Sequence, residues 1–205
     1  MASQPQEIAP GLLRWTAPHP EWNPDAEPGG SGDWEEIVGS VLYETPETVV
    51  LIDPLLPRDG RERFLGWLDD RVGEREVSIL TTIRYHRRDR GELADRYRAN
   101  TTRAWNAVPP GVQPRPLRGA GETLLWLPAV SALVAGDSLI APGDGVLEVC
   151  PETWLEEAQV DRDGLARLLS PLLELPIARV LVSHGAPVLH DGRAALARAL
   201  ARARG

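Results

Sequence analysis

Four stretches of the 205-residue chain end an apolar run on a residue that can bind a metal, move a proton or hold an ion. Asp53 follows VVLI, the cluster Arg84, His86, Asp89 and Arg90 follows VSILTTI, Asp137 follows ALVAG, and His184 follows RVLVS. An apolar, β-branched run of this length reads as a buried strand, and ligands gather where the carboxyl ends of strands hold converging loops. Imidazole and carboxylate together suit metal ligation or acid–base work, whereas guanidinium groups suit carboxylate or phosphate ligands through paired hydrogen bonds.

Composition narrows the choice. The 22 basic residues are all Arg, so a Schiff-base Lys, a P-loop Lys and a Lys general base are excluded. A single cysteine, Cys150, rules out an internal disulfide and a cysteine-built zinc site; with no His nearby it reads as a buried thiol. Ser138 and Ser183 lack the context of a nucleophile elbow. Any metal site must come from His19, His86, His184 and His190 plus carboxylates. A net charge of −8 argues against nucleic acid as a partner. No apolar run reaches the ~20 residues of a membrane span, and the N-terminus shows no signal-peptide pattern, so the expected location is cytoplasmic.

The elements that must position these groups follow from periodicity. EIVGSVLYET, VVLIDPLLP, VSILTTI, TLLWLP, SALVAGDSL and ARVLVSHG read as strands. GRERFLGWLDDRVG has helical spacing of Phe64, Leu68 and Val72 before Gly73. Arg90 to Trp105 reads as a polar helix, TWLEEAQVDRDGLARLLSPLLEL as helix broken near Gly164 and Pro171, and DGRAALARALARARG as a helix started by Asp191 and laid on a sheet. Residues 1–35, rich in Pro, Gly and Trp, read as irregular chain packed on or flanking one domain of 205 residues. The expected class is α/β with helices covering sheet faces.

The order of VVLIDPLLP, SILTTIRYHRRDRGEL, LLWLPAVSALVAGDSLI and VLVSHGAPVL resembles the metallo-β-lactamase-fold hydrolases. That family carries a strand ending in Asp, then HxHxDH, a further His, a Gly-Asp strand end and a late His beside Gly. The resemblance covers roughly residues 36–190 and implies an αββα four-layer sandwich with its site at one edge of two facing sheets. Asp137 matches the bridging carboxylate and His184 the final His. The rest departs. With one inserted residue, Arg84 and Arg90 stand at the first and last His of the motif, with His86 and Asp89 between; without it, Tyr85 and Arg87 replace the first two His and His86 falls off the motif. WLPAVS offers no further His.

Guanidinium carries donors only and cannot ligate a metal, so the paired-zinc site of the family is rejected. Two readings remain. In the first, the protein is non-hydrolytic or binds a small anionic molecule through Arg84, His86, Arg90, Asp137 and His184, with no cofactor. Residues 84–103 support it, with seven arginines against three acids; equally, Arg84 or Arg90 could pair with Asp53, Asp89 or Asp137 and fill the old site. In the second, one Zn²⁺, Fe²⁺ or Mn²⁺ is held by His86, Asp89, Asp137 and His184, for hydrolysis. Asp53 reads as a turn residue. A second copy of the chain is the remaining expected partner.

Overall fold

The computed structural model describes residues 4–101, 108–143 and 146–204. Among them the strands form two main sheets and a short ribbon. The first sheet runs β1 (Gln6–Ala9), β2 (Leu12–Pro18), β3 (Ile37–Glu44), β4 (Thr48–Ile52) and β5 (Glu76–Leu80) in sequence order. Its pairs are antiparallel except β4 with β5. The second sheet is ordered β11 (Arg179–Val182), β8 (Ala132–Ala135), β7 (Glu122–Leu127), β6 (Gln113–Leu117), and only β11 with β8 is parallel. Parallel neighbours need a crossover, and helices supply it. Helix α1 (Arg61–Val72) links β4 to β5, and α3 (Arg162–Leu169) lies between β8 and β11, after the ribbon β9 (Leu139–Ile140) and β10 (Glu148–Val149).

Three apolar clusters make the layers. Val41, Tyr43, Ile52 and Leu80 of one sheet meet Leu125, Leu127, Val134 and Leu181 of the other. On the outer side of the first sheet, Leu42, Leu51 and Ile79 pack on Phe64, Leu68 and Val72 of α1 and Leu93 of α2 (Arg90–Tyr97). On the outer side of the second, Leu124, Trp126 and Val180 pack on α3 and on α4 (Gly192–Ala203). The molecule is therefore an αββα sandwich, and each fully buried Leu or Phe contributes about 1.5–3 kcal/mol.

The strands from residue 36 to β5, and β7, β8 and β11, fall where the sequence places them. Other elements differ. The N-terminal stretch is strand over β1 and β2: Leu13, Trp15 and Ala17 alternate inward, and the Trp15 indole donates to the Leu55 carbonyl (2.7 Å). Strand β6 contains Pro114 and Pro116, tolerated because it is an edge strand. Helix α2 ends at Tyr97, and residues 102–105 of the expected helix lie outside the described residues. The expected helix over 153–175 is instead a 3-10 turn, Glu152–Leu155, then turns over 156–161, then α3, where Gly164 sits inside the helix with its N–H donating to the Asp161 carboxylate (2.7 Å); α3 passes into 3-10 at Ser170 and Pro171. Asp191 does precede α4, but its side chain makes no cap bond. Among the described residues no helix is long and apolar enough to cross a membrane.

Candidate functional site

The four polar strand ends meet because both parallel pairs point the same edge of the sandwich at one pocket. Asp53 ends β4 with a positive φ of 47°, uncommon for a residue with a side chain and a mark of local constraint. Its carboxylate is buried and accepts the Thr82 N–H (2.8 Å) and the Thr82 hydroxyl, and lies 3.0 Å from His86 Nδ1. His86 sits in a single 3-10 turn, Arg84–Arg87, and is also buried. Its other nitrogen, Nε2, is 2.9 Å from Asp137 Oδ1. His184 Nε2 approaches the same oxygen to 3.3 Å. Asp53 is thus the group that orients His86, beyond the turn role read from sequence.

Asp137 is held by Glu122, at the start of β7. The buried Glu122 carboxylate accepts the backbone N–H groups of Gly136, Asp137 and Ser138 (2.8, 3.1 and 2.7 Å) and the Ser138 hydroxyl (3.0 Å). Burial, helped by Asp137, pushes the Glu122 carboxyl up to about 7 against those hydrogen bonds. Gly136 has no room for a side chain, since a Cβ would stand 2.5 Å from Thr82 Oγ1.

Arg88 crosses the pocket floor. One terminal nitrogen donates to the Gly39 and Asp53 carbonyls (2.7 and 2.8 Å) and the other to the Ser183 hydroxyl (2.6 Å). Burial would pull the His86 imidazole down, but Asp137 and Asp53 outweigh both burial and the Arg88 charge and carry it up to about 9. Burial alone would raise Asp137, yet the His86 and His184 rings hold it far below the usual carboxylate range. Burial and the neighbouring Arg88 and His rings drop His19 to about 4.

Of the expected site residues, the structure brings together His86, Asp137 and His184. It takes three others elsewhere. The Arg84 guanidinium is exposed against Glu157 and the Tyr85 hydroxyl. Arg90 donates to the Thr101 carbonyl. Asp89 accepts the Leu56 N–H (2.6 Å), with Arg61 at 3.7 Å. The turn around Arg88, with φ 40°, rotates the loop so that one arginine points inward and the flanking ones outward. Glu122 and Arg88 were missed. The only sequence signal for Glu122 is an acid opening an apolar strand, and nothing distinguishes Arg88 from its neighbours.

The pocket above this floor has a volume of about 350 Å³. Trp34 and Trp154 stand edge-to-ring with His184, at 5.6 and 5.1 Å between centroids, and His19 packs likewise on Trp34 at 5.1 Å.

No protein-family model matches the chain, and no curated protein matches it. Solved structures do. The DIM-1 metallo-β-lactamase aligns with a TM-score of 0.62 at 13% identity, over 98% of this chain and 94% of that one. A metallo-β-lactamase family protein from Thermus thermophilus aligns at 0.57 and 17%, over 96% and 80%. An NDM/FIM-1-like metallo-β-lactamase from Erythrobacter litoralis, in its mono-zinc form, aligns at 0.60 and 15%, over 98% and 95%. The chain has the metallo-β-lactamase fold.

That fold implies metal, and the side chains present can be tested for it. His86, Asp137 and His184 each offer one ligand atom within 4.8 Å of the others, and this is the one such group among the described residues. Asp137 Oδ1 is buried and has no hydrogen-bond partner, although two imidazole nitrogens lie close to it. Two imidazole nitrogens converging this closely on one carboxylate oxygen fit a shared third body. One ion fits these residues; a second finds no comparable set among the described residues.

Proposed function

We propose that the protein is a metal-dependent hydrolase of the metallo-β-lactamase fold that works with one divalent ion, held by His86 Nε2, Asp137 Oδ1 and His184 Nε2. The observation that carries this reading is the convergence of those three atoms around an orphaned carboxylate oxygen. Two imidazoles and a carboxylate suit Zn²⁺, Fe²⁺ or Mn²⁺. Such an ion, when bound, polarises a carbonyl and lowers the pKa of water. The chain's own part is positioning. Asp53 accepts a hydrogen bond from His86 Nδ1–H, which leaves the Nε2 lone pair facing the pocket. Glu122 fixes the turn that presents Asp137. Trp34 and Trp154 shield the centre from bulk water.

A non-hydrolytic reading has its own support in Arg88 and in the raised His86, because an imidazolium between Asp53 and Asp137 neutralises the floor without metal. Elemental analysis of untagged protein purified without chelators decides between them. The hydrolase reading expects about one ion per chain, lost in His184→Ala while the fold is retained. Failure to retain Zn²⁺, Fe²⁺ or Mn²⁺ after supplementation would overturn it. Neither the Arg84 nor the Arg90 guanidinium lines the pocket, so an anionic ligand held by them would sit outside it.

A further inference from the structure

We propose that the pocket selects a small molecule carrying an ammonium group, seated between Trp34, Trp154 and Tyr85 and facing Glu21 and Glu156. With the single-ion reading above, on which its reactive end rests, the substrate class is an ester or amide of an ammonium-bearing alcohol or amine. Water adds across the acyl bond, giving a carboxylic acid and the free alcohol or amine. The cationic end stands on the walls alone.

Three observations carry the wall argument. First, the lining is aromatic: Trp34, Tyr85 and Trp154 surround a space sized for a small molecule. Tyr85 is 56% exposed, so its ring is presented at the mouth and not spent on the core. Aromatic faces attract cations through their quadrupole, and most strongly where water is partly excluded.

Second, the mouth is acidic. Glu21, Glu156 and Glu157 line it above Asp137. Glu157 is taken up by Arg84 and by the Tyr85 hydroxyl (2.7 Å). Glu21 and Glu156 are both exposed at the mouth. The one arginine of the lining, Arg88, is turned onto Gly39, Asp53 and Ser183. An anion entering here would meet carboxylates before it met a guanidinium.

Third, the protein already places a cation on one of these rings. The Arg84 guanidinium lies 4.6 Å from the Tyr85 ring centroid. Arg84 lines a neighbouring groove and not the pocket, whereas Tyr85 lines both. The ring that holds a guanidinium thus also borders the pocket, from which Arg84 itself is absent.

The test uses the full chain, metal-free and zinc-loaded, at constant ionic strength. Choline, its neutral isostere 3,3-dimethylbutan-1-ol, and propionate are titrated by calorimetry, with the zinc content of each sample measured in parallel. Choline is expected to bind at least about fivefold tighter than the isostere. Glu156→Gln changes an exposed side chain outside the core; it is expected to weaken choline several-fold and leave the isostere unchanged. Trp154→Leu should weaken both, and circular dichroism verifies its fold. Equal binding of choline and isostere within about twofold, or propionate tighter than choline, overturns the proposal. The two readings fail separately. Choline preference in protein that fails to retain zinc after loading supports the pocket and sinks the single-ion centre; retained zinc without choline preference does the reverse.

Discussion

Two regions face each other across the pocket and are held by different means. The turns after β8 and β11 are gripped at their backbone, by one buried acid and by close backbone approach. Glu122 gathers three consecutive N–H groups around Asp137, and Gly185, at φ 96°, packs against the Ala141 carbonyl so closely that no side chain would fit. The loop after β5 is fixed by charge. Arg88 spans it to Gly39, Asp53 and Ser183, while Arg84 and Arg87 are exposed and Arg90 turns to the Thr101 carbonyl. The difference teaches that a metal-capable side chain on a backbone-held turn can be located from sequence, while one in a charge-held loop depends on which of several like residues turns inward.

Substitutions can break the contrast, the largest effect first. Gly185→Ala should cost about 4 kcal/mol in urea unfolding, because it adds both a backbone clash and a left-handed alanine next to His184. Glu122→Ala should cost about 3 kcal/mol, since it strips the acceptor from several buried donors. Either loss coming out below that of an exposed substitution would refute the idea that backbone holds this half. On the charge-held side, Arg88→Met should cost about 2 kcal/mol by leaving two carbonyls and a hydroxyl unsatisfied. Arg84→Ala, at an exposed pair, should stay within about 0.5 kcal/mol; equal effects at the two positions would erase the distinction.

A surface pair away from both regions gives the smallest change. Asp69 is held below its ordinary value of 3.8 by hydrogen bonds from Arg96 and, to a lesser degree, Tyr97, and burial opposes this. A carboxylate with a lowered folded pKa adds stability above its unfolded pKa and loses it as pH falls through the folded one. Asp69→Asn should therefore cost about 0.5 kcal/mol at neutral pH, and the gap to the parent should narrow as pH falls below the ordinary carboxylate range. A gap that widens on acidification would reverse the assignment.

The legibility of the molecule follows the same division. Asp137 and His184 were readable because each stands directly after an apolar strand, and strand direction alone brings their ends to one edge. His86 was readable as a residue but not as a position, because its motif aligns two ways and only the 3-10 turn selects one. Glu122 was hidden by the Gly-rich turn before it. Strands β1 and β2 were hidden by the prolines and glycines around them, although Leu13, Trp15 and Ala17 alternate as one covered face of a strand must. Strand β6 was masked by Pro114 and Pro116, whose missing donors face away from any partner strand.

Just below the pocket the two sheets are joined across the sandwich. The Thr123 N–H bonds the Thr82 carbonyl (2.9 Å), Ile83 bridges to Glu122, and His184 bridges to Val38. These rungs clasp the sandwich shut at the end that carries the chemistry, so its halves cannot yawn apart to admit a guest. The breadth of what can enter is therefore set at the rim, where Trp34 and Trp154 stand on segments outside both sheets.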